Sequence, residues 1–172
     1  MENEIHMEEQ ILEVDRLYED GEYSECKRRL LDMLEQEPGF GRAHHLIGCL
    51  YYYILDDQDK AEKHLRLAVM FAPTYPAAFV NYARVLNHLN RQEALLKLVS
   101  EALKVEGMNK CIILMEKAKS HEINGDLKKA LNSYYDAERF AVSRYEVEEV
   151  KIGIKRIKSK TLRPFKRLFS VK

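Results

Sequence analysis

His44-His-Leu-Ile-Gly-Cys-Leu-Tyr51 is followed by a polar turn, Asp56-Asp-Gln-Asp59, then by Ala61-Glu-Lys-His-Leu65-Arg-Leu-Ala68, with Pro73 closing the stretch. Apolar residues in both halves fall at steps of three and four, the period of a helix with one buried face. Gly48, Ala61 and Ala68 are small because two helices must cross there at close range. Ile47, Tyr51 and Leu65 fill the space beside the crossing, and Pro73 stops the second helix because it cannot continue the backbone ladder. The stretch reads as one antiparallel helix pair.

Working outward, the pair recurs. A small or branched residue stands four before a larger apolar one at Cys26…Leu30, Ala61…Leu65, Leu95…Val99 and Ala130…Tyr134, at intervals of 35, 34 and 35 residues. Pro38 and Pro73 keep the same interval. Flanking positions repeat less regularly. The first unit gives Val14, Leu17, the turn Asp20-Gly21-Glu22-Tyr23, Met33 and Pro38, with Glu13 where an apolar residue is expected. The third gives Phe79, Tyr82-Ala83, Leu86 and Ala102, with Gly107 in place of the proline. The fourth gives Ala118, the turn Asn124-Gly125-Asp126-Leu127 and Ala137, with Lys117 where a core Leu is expected. A fixed period in this range signals an array of helix pairs, and polar departures at its ends suit units that meet water on one face.

The second unit resembles the tetratricopeptide repeat, whose pattern is a large residue, x2, Leu-Gly, x2, Tyr, then Ala-x3-Phe and Pro. His44 stands where Trp is usual, Ile47-Gly48 stands for Leu-Gly, and Tyr51 matches. The resemblance spans about residues 7–144. It implies an all-α, right-handed superhelical solenoid of four helix pairs, at about 7–40, 41–75, 76–109 and 111–144. Beyond it, Val147, Val150, Ile154 and Ile157 form one stripe of an amphipathic capping helix over 145–160, completing a repeat domain at 1–160. Pro164 then interrupts, leaving a basic tail at 161–172 that holds Phe165, Leu168 and Phe169.

Composition narrows the function. No stretch approaches the ~20 apolar residues that span a bilayer, and the acidic start, Met1-Glu-Asn-Glu-Ile5, is unlike a secretory signal. Cys26, Cys49 and Cys111 form no CxxC pair and suit a reducing compartment, which points to the cytoplasm. There is no phosphate loop, Ser-centred elbow or HExxH, so no enzyme activity and no cofactor is expected. Net charge is zero but polarised: residues 1–40 hold 13 acidic and 4 basic side chains, and residues 151–172 hold nine Lys or Arg and no acid.

The resemblance places a partner-binding groove on the first helix of each pair. Helical spacing from the core positions assigns to it His45, Cys49, Tyr52 and Tyr53, then Val80, Asn81, Arg84, Asn87 and His88, then Met115 and Lys119. Aromatics flanked by Arg84 and Lys119 suit a peptide bearing a carboxylate. The chaperone-tail clamp known in the family needs Lys and Asn, then Asn, then Lys and Arg. The equivalent positions here are His45 and Cys49, Asn81, and Ile112 and Glu116, so that reading fails. His45, Cys49 and His88 have the residue types of an open zinc site, but no carboxylate can be assigned to orient them; no metal is expected. The expected function is therefore a protein-binding scaffold or adaptor. The alternative is binding of nucleic acid or an anionic membrane surface through Lys151, Lys155, Arg156, Lys158, Lys160, Arg163, Lys166 and Arg167. That segment could instead meet the acidic end of another copy head to tail, or be simply a solvated, partly disordered chain end, the default for termini. A secretion-type chaperone is a further alternative that rests on the fold alone.

Overall fold

The structure, a computed structural model, describes the backbone of residues 2–168 and the side chains of residues 6–162. Nine helices and no strand occur among the described residues: α1 (Glu2–Glu19), α2 (Tyr23–Gln36), α3 (Gly41–Tyr53), α4 (Gln58–Phe71), α5 (Pro76–His88), α6 (Gln92–Ala102), α7 (Lys110–Ile123), α8 (Leu127–Glu138) and α9 (Arg144–Leu168). No helix among these residues is long and apolar enough to cross a membrane. The chain divides into two compact units, Met1–Val85 and Leu86–Lys172, and α5 crosses the division.

In the first unit α1 packs on α2, α2 on α3, and α3 on α4. Met7, Ile11 and Val14, Cys26, Leu30 and Met33, Ala43, Ile47 and Leu50, and Ala61, Leu65 and Ala68 supply the buried stripes of the four helices in turn. The small residues act as the sequence pattern requires. A Cβ on Gly48 would lie 2.7 Å from Leu65 Cγ, and one on Gly41 would lie 2.6 Å from Ala72 Cβ, both far inside van der Waals contact. The α3–α4 pair closes only because these positions lack a side chain.

In the second unit α7 packs on α6, α8 and α9, and α8 packs on α9. Cys111, Leu114, Met115 and Ala118 of α7 join Ala130, Tyr134 and Ala137 of α8, and Val150, Ile154 and Ile157 of α9 complete the core. Gly153 sits directly against the Tyr134 ring, where any Cβ would collide. Gly48, Ala83, Ala118 and Gly153 are spaced by 35 residues each. Helix α9 thus holds the register of the first helix of a fifth pair.

The turns inside the four pairs share one backbone device. Gly21 (φ 79°), Asp56 (φ 51°), Asn90 (φ 54°) and Gly125 (φ 79°) are left-handed and again lie 35, 34 and 35 residues apart. Such a residue just past a helix end turns the chain back so that following amides satisfy the last carbonyls. Glu22 N donates to Leu17 O at 2.9 Å, Asp57 N to Tyr51 O at 3.0 Å, Arg91 N to Leu86 O at 2.8 Å and Asp126 N to His121 O at 2.8 Å. Helix α9 is started by a capping box. Glu146 N donates to Ser143 Oγ at 3.2 Å, and Glu146 Oε2 accepts from the amides of Val142 and Ser143, each at 2.9 Å. These bonds, with one from Asn109 Nδ2, hold the Glu146 carboxyl down at about 2.

Helix α9 departs from the sequence expectation at its far end. The pattern ends the capping helix at 160 and opens a tail at 161, but α9 runs on to Leu168, past Pro164. A proline removes one rung of the ladder and strains the turn before it; it does not by itself require the helix to stop. The side chains of Arg163, Phe165, Lys166, Arg167 and Leu168 lie outside the described residues, as do Phe169 and Lys172.

Candidate functional site

The first unit gathers five of the expected groove residues into one hydrogen-bonded chain between α3 and α5. Asn81 Nδ2 donates to His45 Nε2 at 2.8 Å, and Cys49 Sγ lies 3.4 Å from the same nitrogen. Tyr53 Oη donates to Asn81 Oδ1 at 3.2 Å, and Arg84 Nη1 donates to that oxygen and to Tyr53 Oη, each at 3.1 Å. Because His45 Nε2 accepts, the neutral ring carries its proton on Nδ1. Tyr75 stands edge-on to His45 with ring centroids 5.1 Å apart, and Tyr52 meets Tyr53 edge-on at 4.7 Å.

The electrostatics of this chain are those of a neutral network. Burial, reinforced by the charge of Arg42, pushes the His45 pKa down to about 4. Burial pushes the Cys49 thiol up to about 12, although Arg84 pulls the other way. At neutral pH the cluster therefore holds an imidazole and a thiol, neither an imidazolium nor a thiolate. Among the described residues no group of three or more His, Cys, Asp or Glu is placed to hold a metal ion.

Three expected groove residues need correction. Helical spacing puts His45 and Asn87 on an open face, yet they are only 6% and 9% exposed. The reason for His45 is that α5 lies beside α3, and Asn81 and Tyr75 cover a position that the isolated helix would leave open. Met115 is also buried, whereas Tyr53 and His88 are exposed, and Cys49, Tyr52, Val80, Asn81, Arg84 and Lys119 are half-buried.

The second unit holds its own polar cluster. Asn87 Nδ2 donates to Glu116 O at 3.0 Å and to Glu116 Oε2 at 2.8 Å, and Lys119 Nζ donates to Glu116 Oε1 at 2.7 Å. Glu116 is 3% exposed. Its carboxylate stays in the interior because an amide and an ammonium satisfy it, as a buried charge demands. In the sequence Glu116 serves only to reject a clamp, and this structural role goes unseen; its position beside Lys119 at i+3 was the available signal.

His44, standing where the repeat usually has Trp, is similarly built in. Its Nε2 donates to Pro38 O at 3.0 Å, which leaves Nδ1 to accept from His64 Nδ1 at 3.0 Å. The ring stacks on Phe71 with centroids 5.7 Å apart, so two hydrogen-bonded imidazoles replace one indole as filler between α3 and α4.

The basic segment is not uniform either. Arg156 grips Glu122 through Nε at 2.8 Å and Nη2 at 2.7 Å, and Nη2 also reaches Tyr134 Oη at 2.7 Å. Lys160 Nζ donates to Glu122 Oε1 at 2.6 Å. These two cations fasten α9 to α7 and α8, and the pairing lowers the Glu122 pKa below its usual value. Lys151, Lys155 and Lys158 are exposed, with Lys158 Nζ 5.7 Å above the Tyr135 ring.

No family model and no curated protein matches this sequence. Solved structures do. MamA residues 41-end from Desulfovibrio magneticus RS-1 superposes with a TM-score of 0.66 at 11% identity, covering 88% of this chain and 93% of that one. PilW, described as a widely conserved type IV pilus biogenesis factor, gives 0.66 at 16% identity over 87% of this chain and 76% of its own. A thermophilic TPR protein in Thermus thermophilus gives 0.62 at 16% identity, covering 87% and 78%. With its helices in repeating register and these neighbours, the chain has the all-α helix-pair fold of the tetratricopeptide-repeat proteins.

Proposed function

We propose that this chain is a non-enzymatic interaction module that seats an extended or helical segment of a partner protein on the first-helix faces of its repeats. One observation carries the reading. Tyr53 is 47% exposed, its ring braced by Tyr52, and its hydroxyl is tied through Asn81 to the buried His45. An aromatic surface fixed in advance by hydrogen bonds loses little conformational entropy when a partner arrives. Tyr and Arg together are the residue types that dominate binding energy at interfaces. The neutral state of His45 and Cys49 favours recognition by shape and hydrogen bonding over chemistry. The three cysteines are unpaired, which suits action in the cytoplasm.

The test is affinity capture from native lysate with the intact chain and with a Tyr52→Ala/Arg84→Ala variant, the retained proteins identified by mass spectrometry. The variant should keep its helical circular dichroism and lose the specific partner. Retention of the same partner by a folded variant would sink the reading. Binding of nucleic acid or an anionic surface through residues 151–172 is the weaker reading, because Arg156 and Lys160 already share Glu122.

A further inference from the structure

The outer side of the α8–α9 junction is an open groove of about 670 Å³. Ile154, Tyr135 and Leu162 give it an apolar floor and rim, and Lys151, Lys155 and Lys158 stand along it. Tyr135 is 39% and Leu162 58% exposed, so both present apolar surface to the groove. One acid, Glu138, also lines it. Because α9 keeps the register of a first helix, the second helix of a fifth pair would run along its side next to α8, as α8 itself lies against α7. The groove lies where such a helix would pack, and it is apolar along its middle and cationic at its edges.

The other end of the sequence carries the matching surface. The exposed residues of α1, among those described, are His6, Glu9, Leu12, Glu13, Arg16 and Glu19. Leu12 is 58% exposed and is the one large apolar side chain on that face. Around it stand three acids and one cation, against three cations and one acid in the groove. Glu13 is already engaged by Arg29 at 2.7 Å, which still leaves Glu9 and Glu19 on the outer face. An amphipathic helix laid into a groove, with an apolar anchor and charges of opposite sign alongside, is a recurring mode of recognition.

We propose that the α8–α9 groove of one copy receives the outer face of α1 from a second copy, Leu12 on the Tyr135–Ile154–Leu162 floor and the α1 acids against Lys151, Lys155 and Lys158. The contact is head to tail, so each copy keeps one unused surface of each kind, and association is open-ended unless a ring closes. It is independent of the partner surface on α3 and α5.

Sedimentation velocity of the full chain tests this with two variants, Leu12→Asp in the head and Lys151→Glu/Lys155→Glu in the tail. All three substitutions fall at exposed positions, and circular dichroism checks the fold. At about 100 µM chain in about 50 mM salt the wild type should sediment as multiples of the 20.2 kDa chain. Raising salt to about 500 mM should weaken association at least ~10-fold, because the paired charges are screened. Each variant alone should be monomeric. Mixed one to one, they should form a dimer and nothing larger, since each retains one intact half of a single interface. If a substitution costs helicity, Glu9→Lys/Glu19→Lys and Lys155→Ala/Lys158→Ala replace the pair. A monomeric wild type at low salt overturns the proposal, including one whose lysines instead bind a DNA duplex or anionic vesicles. So does a variant that still self-associates alone, or a mixture that stays monomeric.

Discussion

The His45 ring accepts from Asn81 at 2.8 Å, and its burial pushes the pKa down to about 4. The unfolded chain takes up that proton near pH ~6.5. Stability is therefore complete above pH ~6.5 and falls as pH drops from there to about 4, because the unfolded state binds the proton and the folded state refuses it. His45 alone is worth on the order of 3 kcal/mol across that window. His64, pushed down to about 4 by burial and by its contact with His44, adds a smaller loss because its ring is more solvated. The carboxylates act lower: Glu146, held at about 2, gives up its contribution only below pH ~4.3. Urea unfolding of the wild type should show midpoints that fall between pH 7 and pH 4.5. His45→Gln, which keeps an acceptor for Asn81 but cannot titrate, should flatten much of that slope. An unchanged slope would remove His45 as its source.

Helix ends repeat their geometry more faithfully than helix faces repeat their residues. Gly21, Asp56, Asn90 and Gly125 occupy one left-handed position in successive pairs, but only two are glycine. A Cβ in that conformation costs roughly 1–2 kcal/mol, less for Asn and Asp. Gly125 has nothing within 4 Å of where its Cβ would be, so Gly125→Ala should lose about 1 kcal/mol by backbone strain alone. Asn90→Gly should gain stability or leave it unchanged, the relief being offset by loss of the 3.3 Å bond that Asn90 Oδ1 accepts from Asn124. Thermal unfolding of the two variants against wild type gives the comparison, with a clear loss expected for the alanine variant and none for the glycine one. The glycines made two of these turns legible in the sequence. Asp56 lies in a turn that the sequence shows, but its left-handed backbone, like that of Asn90, was not legible, since nothing in a lone Asp or Asn distinguishes a left-handed residue from a helix cap.

Helix α9 holds the second unit together. Val150, Ile154 and Ile157 are buried against Leu114, Ala130 and Tyr134, and each such side chain contributes ~1.5–3 kcal/mol on burial. Their sum is comparable with the total stability of a small domain. A chain ending at Ser143 should therefore lose hydrogen-exchange protection throughout α7 and α8 while the amides of α3 and α4 stay protected. Protection retained in α7 would mean that α9 is dispensable. The importance of this helix is visible in its apolar stripe. Its membership in the repeat series is visible only through Gly153, and that residue becomes informative once Tyr134 is seen lying on it.

The periodic small residues by themselves determined the helix pairs, their spacing and their turns, because close crossing of two backbones is a local requirement that any sequence in this register must meet. Burial on the first-helix faces was decided only by tertiary structure. His45, Asn87 and Met115 are covered, and Arg156 and Lys160 are spent on Glu122, because neighbouring helices and not their own helix supply the covering atoms. Spacing along one helix tells which residues share a face. What lies against that face depends on side chains tens of residues away, such as Asn81 for His45 and Glu122 for Arg156.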